Sequence, residues 1–308
     1  MEYIRNTLEF NVSEPSAITF GKFDGLHRGH ELLMEKLLDQ SAIHGYRSIV
    51  FTFDIPPAKN VSQAEARVLT TNEEKHHIFE ERGVDYLIEC PFTKEVMCME
   101  PEAFVRWIVK ALHVKCMIVG TDFHFGHNRG GDYRLLEALS EELGYELTVL
   151  TKMKEDGRDI SSTFVREEIK KGAIEKANHL LGYEFFAKSK VVHGRQVGRT
   201  IGIPTINMIL PPEKLLPPNG VYVTRVVIGD RWYQGVSDVG CKPTIAGNNP
   251  VGLETYIIDF CQDIYDQIVT IQFLHYLRPE KKFDSIDDLK HQMNCDIASA
   301  ENYFSKKE

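Results

Sequence analysis

The sequence has no C-x-x-C pair. Its six cysteines stand singly at 90, 98, 116, 241, 261 and 295, which excludes a zinc ribbon or a thioredoxin-like motif. They read as mostly buried thiols. No run of about 18 apolar residues occurs, and the opening stretch MEYIRNTLEFNV lacks the apolar centre of a signal peptide. A cytoplasmic protein with reduced thiols and no membrane attachment is expected. Positive charge is also in deficit, 36 Lys and Arg standing against 45 Asp and Glu. That balance opposes a broad grip on nucleic acid, so any bound anion must be held locally. No repeat or low-complexity tract occurs.

What is present is a globular chain too long for one core. Its 308 residues predict two domains of ordinary size. The first half alternates β-type runs (SAITFG, RSIVFTF, VDYLIEC, KCMIVG, ELTVL) with helical periodicity (HELLMEKLLDQSAIHG, TNEEKHHIFEERG, PEAFVRWIVKAL, YRLLEALSEELG). Such alternation predicts a doubly wound α/β domain over 1–183. From 184 to 308 short β-rich runs are broken by Gly, Pro and Asn, which predicts a small antiparallel β-barrel. The tail after Ser285, with Asp288 three residues on, reads as a capped C-terminal helix.

Two motifs in the first half follow apparent strands, where open parallel sheets bind ligands: GKFDGLHRGH after AITF and GTDFHFGHNRGG after CMIV. A helix starting at or just after His27 presents unpaired backbone N–H groups and a positive dipole end. His27 and His30 lie on one face at i and i+3, while Gly25 and Gly29 leave room for a phosphate to approach. A second helix start, ISSTFVREEIKKG, offers the hydroxyls of Ser161, Ser162 and Thr163 with Arg166 one turn in. Together the two starts read as jaws around a triphosphate. Each alone is equally compatible with ordinary helix capping.

In the second half, VVHGRQVGRTIGIPTINM leads through Gly194, Gly198, Arg199 and Gly202 to Thr205 and Asn207. In a strand these two share a face, and both supply hard oxygens suited to Mg2+; the bland alternative is a turn bonded to its own backbone. Glu254, in the apolar strand LETYIIDF, shares a face with Tyr256 and Ile258. Facing inward it can serve as a general base, or it is an edge glutamate facing solvent.

These stretches resemble a known family. GKFDGLHRGH, GTDFHFGHNRGGD and ISSTFVREEIKKGAIEKANHLLG are similar, in that order, to the adenylyltransferase half of the bacterial bifunctional riboflavin kinase/FAD synthetases, a branch of the HxGH nucleotidyltransferases. VHGRQVGRTIGIPTIN, LPPNGVYV, VGCKPTI, LETYIIDF and FLHYLRPEKKFDSIDDLKHQM resemble the riboflavin kinase module. The resemblance implies phosphorylation of riboflavin to FMN and adenylation of FMN to FAD, with ATP and Mg2+. In the first module it implies that His27 and His30 stabilise pyrophosphate and that Gly21, Phe23, Asp24 and Gly25 shape the nucleotide pocket. It also implies that Ser162, Thr163 and Arg166 hold ATP phosphates, and that Asp122, Phe123, Phe125, Gly126, Asn128 and Arg129 line the flavin or ATP site. In the second module it implies Thr205 and Asn207 as Mg-ATP ligands and Glu254 as the base toward the ribityl hydroxyl. Gly194, Gly198, Arg199 and Gly202 then surround phosphates, and Arg278 borders the flavin. Implied partners are riboflavin, FMN, FAD and ATP, without nucleic acid or membrane; the oligomeric state is left open. One departure stands out: the family reads T-F-x-P-H-P where this chain has TFDIPP, with Ile55 and Pro56 in place of proline and histidine. That departure carries the alternative of a kinase with a weakened or inactive adenylyltransferase half.

Overall fold

The computed structural model describes residues 1–54, 67–194, 197–241 and 251–306. Ile55 and Pro56 lie outside them. The chain divides into two compact units, one of residues 1–66 and 70–162, the other of 67–69 and 163–308.

The first unit is a six-stranded parallel sheet. Its strands and helices run β1 (Glu2–Arg5), β2 (Ser16–Phe20), α1 (Arg28–His44), β3 (Arg47–Asp54), α2 (Asn72–Glu81), β4 (Tyr86–Pro91), α3 (Lys94–Met97), α4 (Pro101–Leu112) and β5 (Val114–Gly120). A small ribbon of β6 (His124–Phe125) and β7 (Gly131–Asp132) follows, then α5 (Tyr133–Leu143), β8 (Glu146–Leu150) and a second ribbon of β9 (Lys154–Glu155) and β10 (Arg158–Asp159). The sheet order is β1-β4-β3-β2-β5-β8, all parallel. The edge strand β1 and the short α3 were not foreseen. Side chains alternate across the sheet. Ile18, Phe20, Ile49, Phe51, Met117 and Val119 face a core shared with Phe104 and Ile108 of α4 and Leu136 of α5. Thr19, Thr52 and Glu89 fall on the opposite face, buried. Chain direction across the sheet reverses between β2 and β5. Ligands of such sheets bind at that switch point, beyond the strand ends.

The second unit opens with α6 (Ser162–Lys170), whose first residue belongs to the other unit, and α7 (Ile174–Leu181). Six strands close into an antiparallel barrel in the order β11-β12-β15-β14-β13-β16. They are β11 (Phe186–Val192), β12 (Thr205–Ile209), β13 (Gly220–Ile228), β14 (Arg231–Cys241), β15 (Val251–Ile257) and β16 (Ile268–Arg278), with a short α8 (Val197–Thr200) before β12. The barrel interior holds a ladder of hydroxyls: Thr224, Ser237 and Thr255 are fully buried, and each successive pair is 2.8 Å apart. The closing helix α9 (Ile286–Ser305) starts as expected, with Ser285 accepting from the Asp288 amide. Residues 67–69 join this unit through a bridge from Val68 to Lys214, whose buried ammonium donates to the Leu69 carbonyl at 2.6 Å.

Candidate functional sites

The first site sits where the sheet order reverses. The loop after β2 is tightly constrained: Phe23, Gly25 and Leu26 all have positive φ, at 48°, 80° and 31°. Two of these are not glycine, a backbone strain that tertiary contacts must sustain. The Phe23 ring supplies one, fully buried edge-on against Phe79 of α2. Thr70 supplies another, its hydroxyl accepting from the Gly25 amide at 3.0 Å while its amide donates to Asp24 at 3.2 Å. Ser162, at the start of α6, donates its hydroxyl to the Asp24 carbonyl at 2.7 Å. The loop delivers His27 as the N-cap of α1, with no side chain capping that terminus. An uncapped N-terminus aimed past a strand end is an anion-binding geometry.

The two imidazoles stack, with ring centroids 3.8 Å apart and planes 19° from parallel. Gly29 leaves the pair uncrowded, since a Cβ there would lie 3.2 Å from His27 Nδ1. Burial pushes the His27 pKa down to about 4, opposed by the Asp122 carboxylate. His30 is held well below its usual value by burial and by His27. Both rings are therefore neutral at pH 7, and the Nδ1 atom of each is buried without a hydrogen-bond partner. An arriving phosphate gives each a partner. Asp122, following β5, is ion-paired at 2.9 Å to Lys152, which also approaches Asp159 at 3.5 Å. Lys152 follows β8 next to β5, a proximity that sequence spacing does not signal.

The remaining expected residues separate by burial. Phe123 stacks between Phe20 and Phe125, and Phe125 packs on Phe104 in the core. Asn128 and Arg129 adopt positive φ in an exposed turn, and Gly126 is required there because a Cβ would strike Pro101. Gly21 lies against the Phe23 ring. Thr163 and Arg166 continue the helix that Ser162 begins, within the second unit.

The second site is on the barrel. Register pairs Asn207 with Glu254 and Thr205 with Tyr256. Leu253 and Thr255 point into the barrel, so Glu254 and Tyr256 face its outer side, where they line a cavity together with Met293, Asp296 and Ile297 of α9. The Thr205 hydroxyl donates to the Glu254 carboxylate. Asn207 is buried against Gly194, where any Cβ would overlap its amide. Gly198 likewise has no room for a side chain beneath the Ile203 carbonyl. Two cavities meet at Thr205. One, of about 250 Å³, is lined by Glu254, Tyr256, Arg278, Phe283, Met293 and Asp296. The other, of about 380 Å³, is lined by Arg199, Pro204, Phe260, Gln262 and Tyr265. Arg278 is clamped by the buried Asp296 of α9 at 2.7 and 2.9 Å, which raises its pKa. Arg199 lies over the Tyr265 ring at 5.8 Å. Gly202 takes φ +81° at the turn leading into β12.

An anion cradle at the switch point of a parallel sheet, joined to a closed barrel with an oxygen-rich cleft, defines a two-module chain for phosphate chemistry. The FAD synthetase family model matches residues 9–164 and the riboflavin kinase model residues 181–304. The bifunctional riboflavin kinase/FMN adenylyltransferase of Escherichia coli strain K12 is 35% identical over 94% of this chain and 93% of its own. That of Haemophilus influenzae is 33% identical over 99% and 100%. A solved structure from Streptococcus pneumoniae, described as a macrolide-efflux protein, superposes with a TM-score of 0.87 at 28% identity over 98% of both chains. Among the described residues no helix is long and apolar enough to cross a membrane. The chain belongs to the bifunctional riboflavin kinase/FMN adenylyltransferase family.

Proposed function

We infer that the chain phosphorylates riboflavin to FMN at the barrel and adenylates FMN to FAD at the parallel-sheet unit, using ATP in both steps. The observation that carries this reading is the meeting of two cavities at Thr205 beside Glu254, in a chain that bears a separate anion cradle at His27 and His30. At the barrel, Glu254 takes the proton of the ribityl 5'-hydroxyl as its oxygen bonds to the γ-phosphorus, and ADP departs. The cavity bordered by Arg278, Phe283 and Met293 suits a flat apolar ring, and the cavity beside Arg199 suits the nucleotide. Gly194, Gly198 and Gly202 keep that side open to phosphates. The donor set of Thr205 hydroxyl, Asn207 amide and Glu254 carboxylate consists of hard oxygens, which fits Mg2+. Thr205 and Asn207 would hold it, and once bound it would neutralise phosphate charge.

At the sheet unit an FMN phosphate oxygen bonds to the α-phosphorus of ATP and pyrophosphate leaves. His27, His30 and the α1 terminus stabilise the leaving charge; Ser162, Thr163 and Arg166 hold ATP phosphates. Asp24 and Gly25 shape the pocket with Gly21 and Phe23, and Asp122, Gly126, Asn128 and Arg129 border it, with Phe123 and Phe125 setting the wall behind. We place the functional boundary at 183/184, supported by family models that stop at 164 and resume at 181. The substrates and the net charge of −9 support action in the cytoplasm on small molecules, without nucleic acid. Chromatography of flavins after incubation with ATP and Mg2+ tests the reading: riboflavin yields FMN and FAD, and supplied FMN yields FAD. Formation of FMN alone, with supplied FMN untouched, leaves only the kinase.

A further inference from the structure

One half-buried cation of the sheet unit has no part in the machinery described so far. Lys75 lies in the first turn of α2, one turn before Phe79, whose ring packs on Phe23 of the strained loop. Its charge is sensed by Asp24 after β2, Asp54 at the end of β3 and Glu89 near the end of β4. Lys75 therefore stands over the carboxyl ends of three adjacent strands, where the sheet binds ligands. Other cations near this edge are engaged: Lys152 by Asp122 and Asp159, Arg28 by Glu155 at 3.2 Å. The ammonium of Lys75 forms no hydrogen bond and no ion pair with the described residues. Of these carboxylates, Glu89 accepts from the Tyr3 hydroxyl at 2.5 Å and Asp24 from the Thr70 amide, while Asp54 is exposed at its strand end. Thr52, in register with Glu89 on the same face, is buried with its hydroxyl also unpartnered. Burial lowers the Lys75 pKa against the pull of the three carboxylates, as expected of an ammonium that no described residue accepts from.

Position assigns the missing acceptor. The groups that influence His27, Asp122 and Lys152, follow β5 and β8, on one side of the switch point. Lys75 is on the other side, with β3 and β4. In-line displacement at phosphorus puts the nucleophile opposite the leaving group, so a second anion needs a second cation across the site. We propose that Lys75 binds the phosphate of the incoming flavin mononucleotide, with Thr52 as a second donor. This rests on the adenylyltransferase reading above.

The test is steady-state FAD formation by the full chain. Lys75→Met raises KM for FMN about tenfold, the loss of one charge-assisted contact, with kcat and the ATP KM within about threefold of wild type. Lys75→Arg recovers most of the loss, and kinase turnover by the same chain is unchanged. An unaltered FMN KM, or a rise confined to the ATP KM, overturns the proposal. A wild type that makes no FAD overturns the adenylyltransferase reading and this proposal with it, whereas an active wild type with an indifferent Lys75→Met overturns this proposal alone. If Lys75→Met does not fold, carbamylation of Lys75 by cyanate in the wild type decides: FMN slows it and ATP alone does not. Protection by ATP but not FMN, or by neither, overturns the assignment.

Discussion

The two proposed sites address the same problem, transfer at phosphorus, with different side chains. The barrel site carries a carboxylate, Glu254, in contact with Thr205 on rigid paired strands. The sheet site relies on neutral stacked imidazoles, an uncapped helix terminus and a loop with strained backbone. The nucleophiles explain the difference. Riboflavin offers a hydroxyl whose proton must go to a base, whereas FMN offers a phosphate that is already an anion and needs only placement and charge stabilisation. On the proposed assignment a base stands where a proton must move, and cations and N–H groups stand where two anions must meet.

This contrast breaks first under removal of the base. Glu254→Gln lowers riboflavin phosphorylation by about 10³-fold, within the usual range for a general base, while FMN adenylation stays at the wild-type rate. Equal loss of both activities removes the distinction. His27→Ala does the reverse, lowering FAD formation from FMN by about 10²-fold and sparing FMN production. Acid sharpens the comparison further. His27 has a folded pKa of about 4 against 6.5 unfolded, so the unfolded chain takes up the proton first. The stability of the sheet unit therefore falls as pH drops from 6.5 to 4, by roughly 3 kcal/mol for this residue. Denaturant titrations at pH 7 and 4.5 measure it, and a Trp107 fluorescence midpoint that ignores pH contradicts it. The smallest effect concerns the barrel alone: Ser237→Ala interrupts the hydroxyl ladder and costs about 1–2 kcal/mol of barrel stability, with no change in adenylation.

Much of this was legible in local pattern. The i, i+3 spacing of His27 and His30, the N-cap at His27 and the T-x-N pair of β12 all follow from period alone. The alternation of strands and helices gave the parallel sheet and its ligand edge. What escaped depends on distant pairing. Alternation alone leaves open whether Glu254 faces inward or toward solvent; barrel closure decides it, sending Thr255 inside and leaving Glu254 on the outer side, in a cavity shared with Met293 and Asp296 of α9. Lys152 reaches Asp122 only because β8 pairs with β5, and Asp296 meets Arg278 across 18 residues. β1 is four residues with no alternation strong enough to announce it, and only its register with β4 defines it.

The central claim is that one chain carries two independent active sites, and complementation tests it most directly. The His27→Ala and Glu254→Gln variants are each supplied with riboflavin, ATP and Mg2+, then mixed. Each alone makes little FAD; the mixture makes it at a substantial fraction of the wild-type rate, because one supplies FMN and the other adenylates it. A mixture as inactive as its components contradicts the account, since the two reactions then depend on both sites within one molecule.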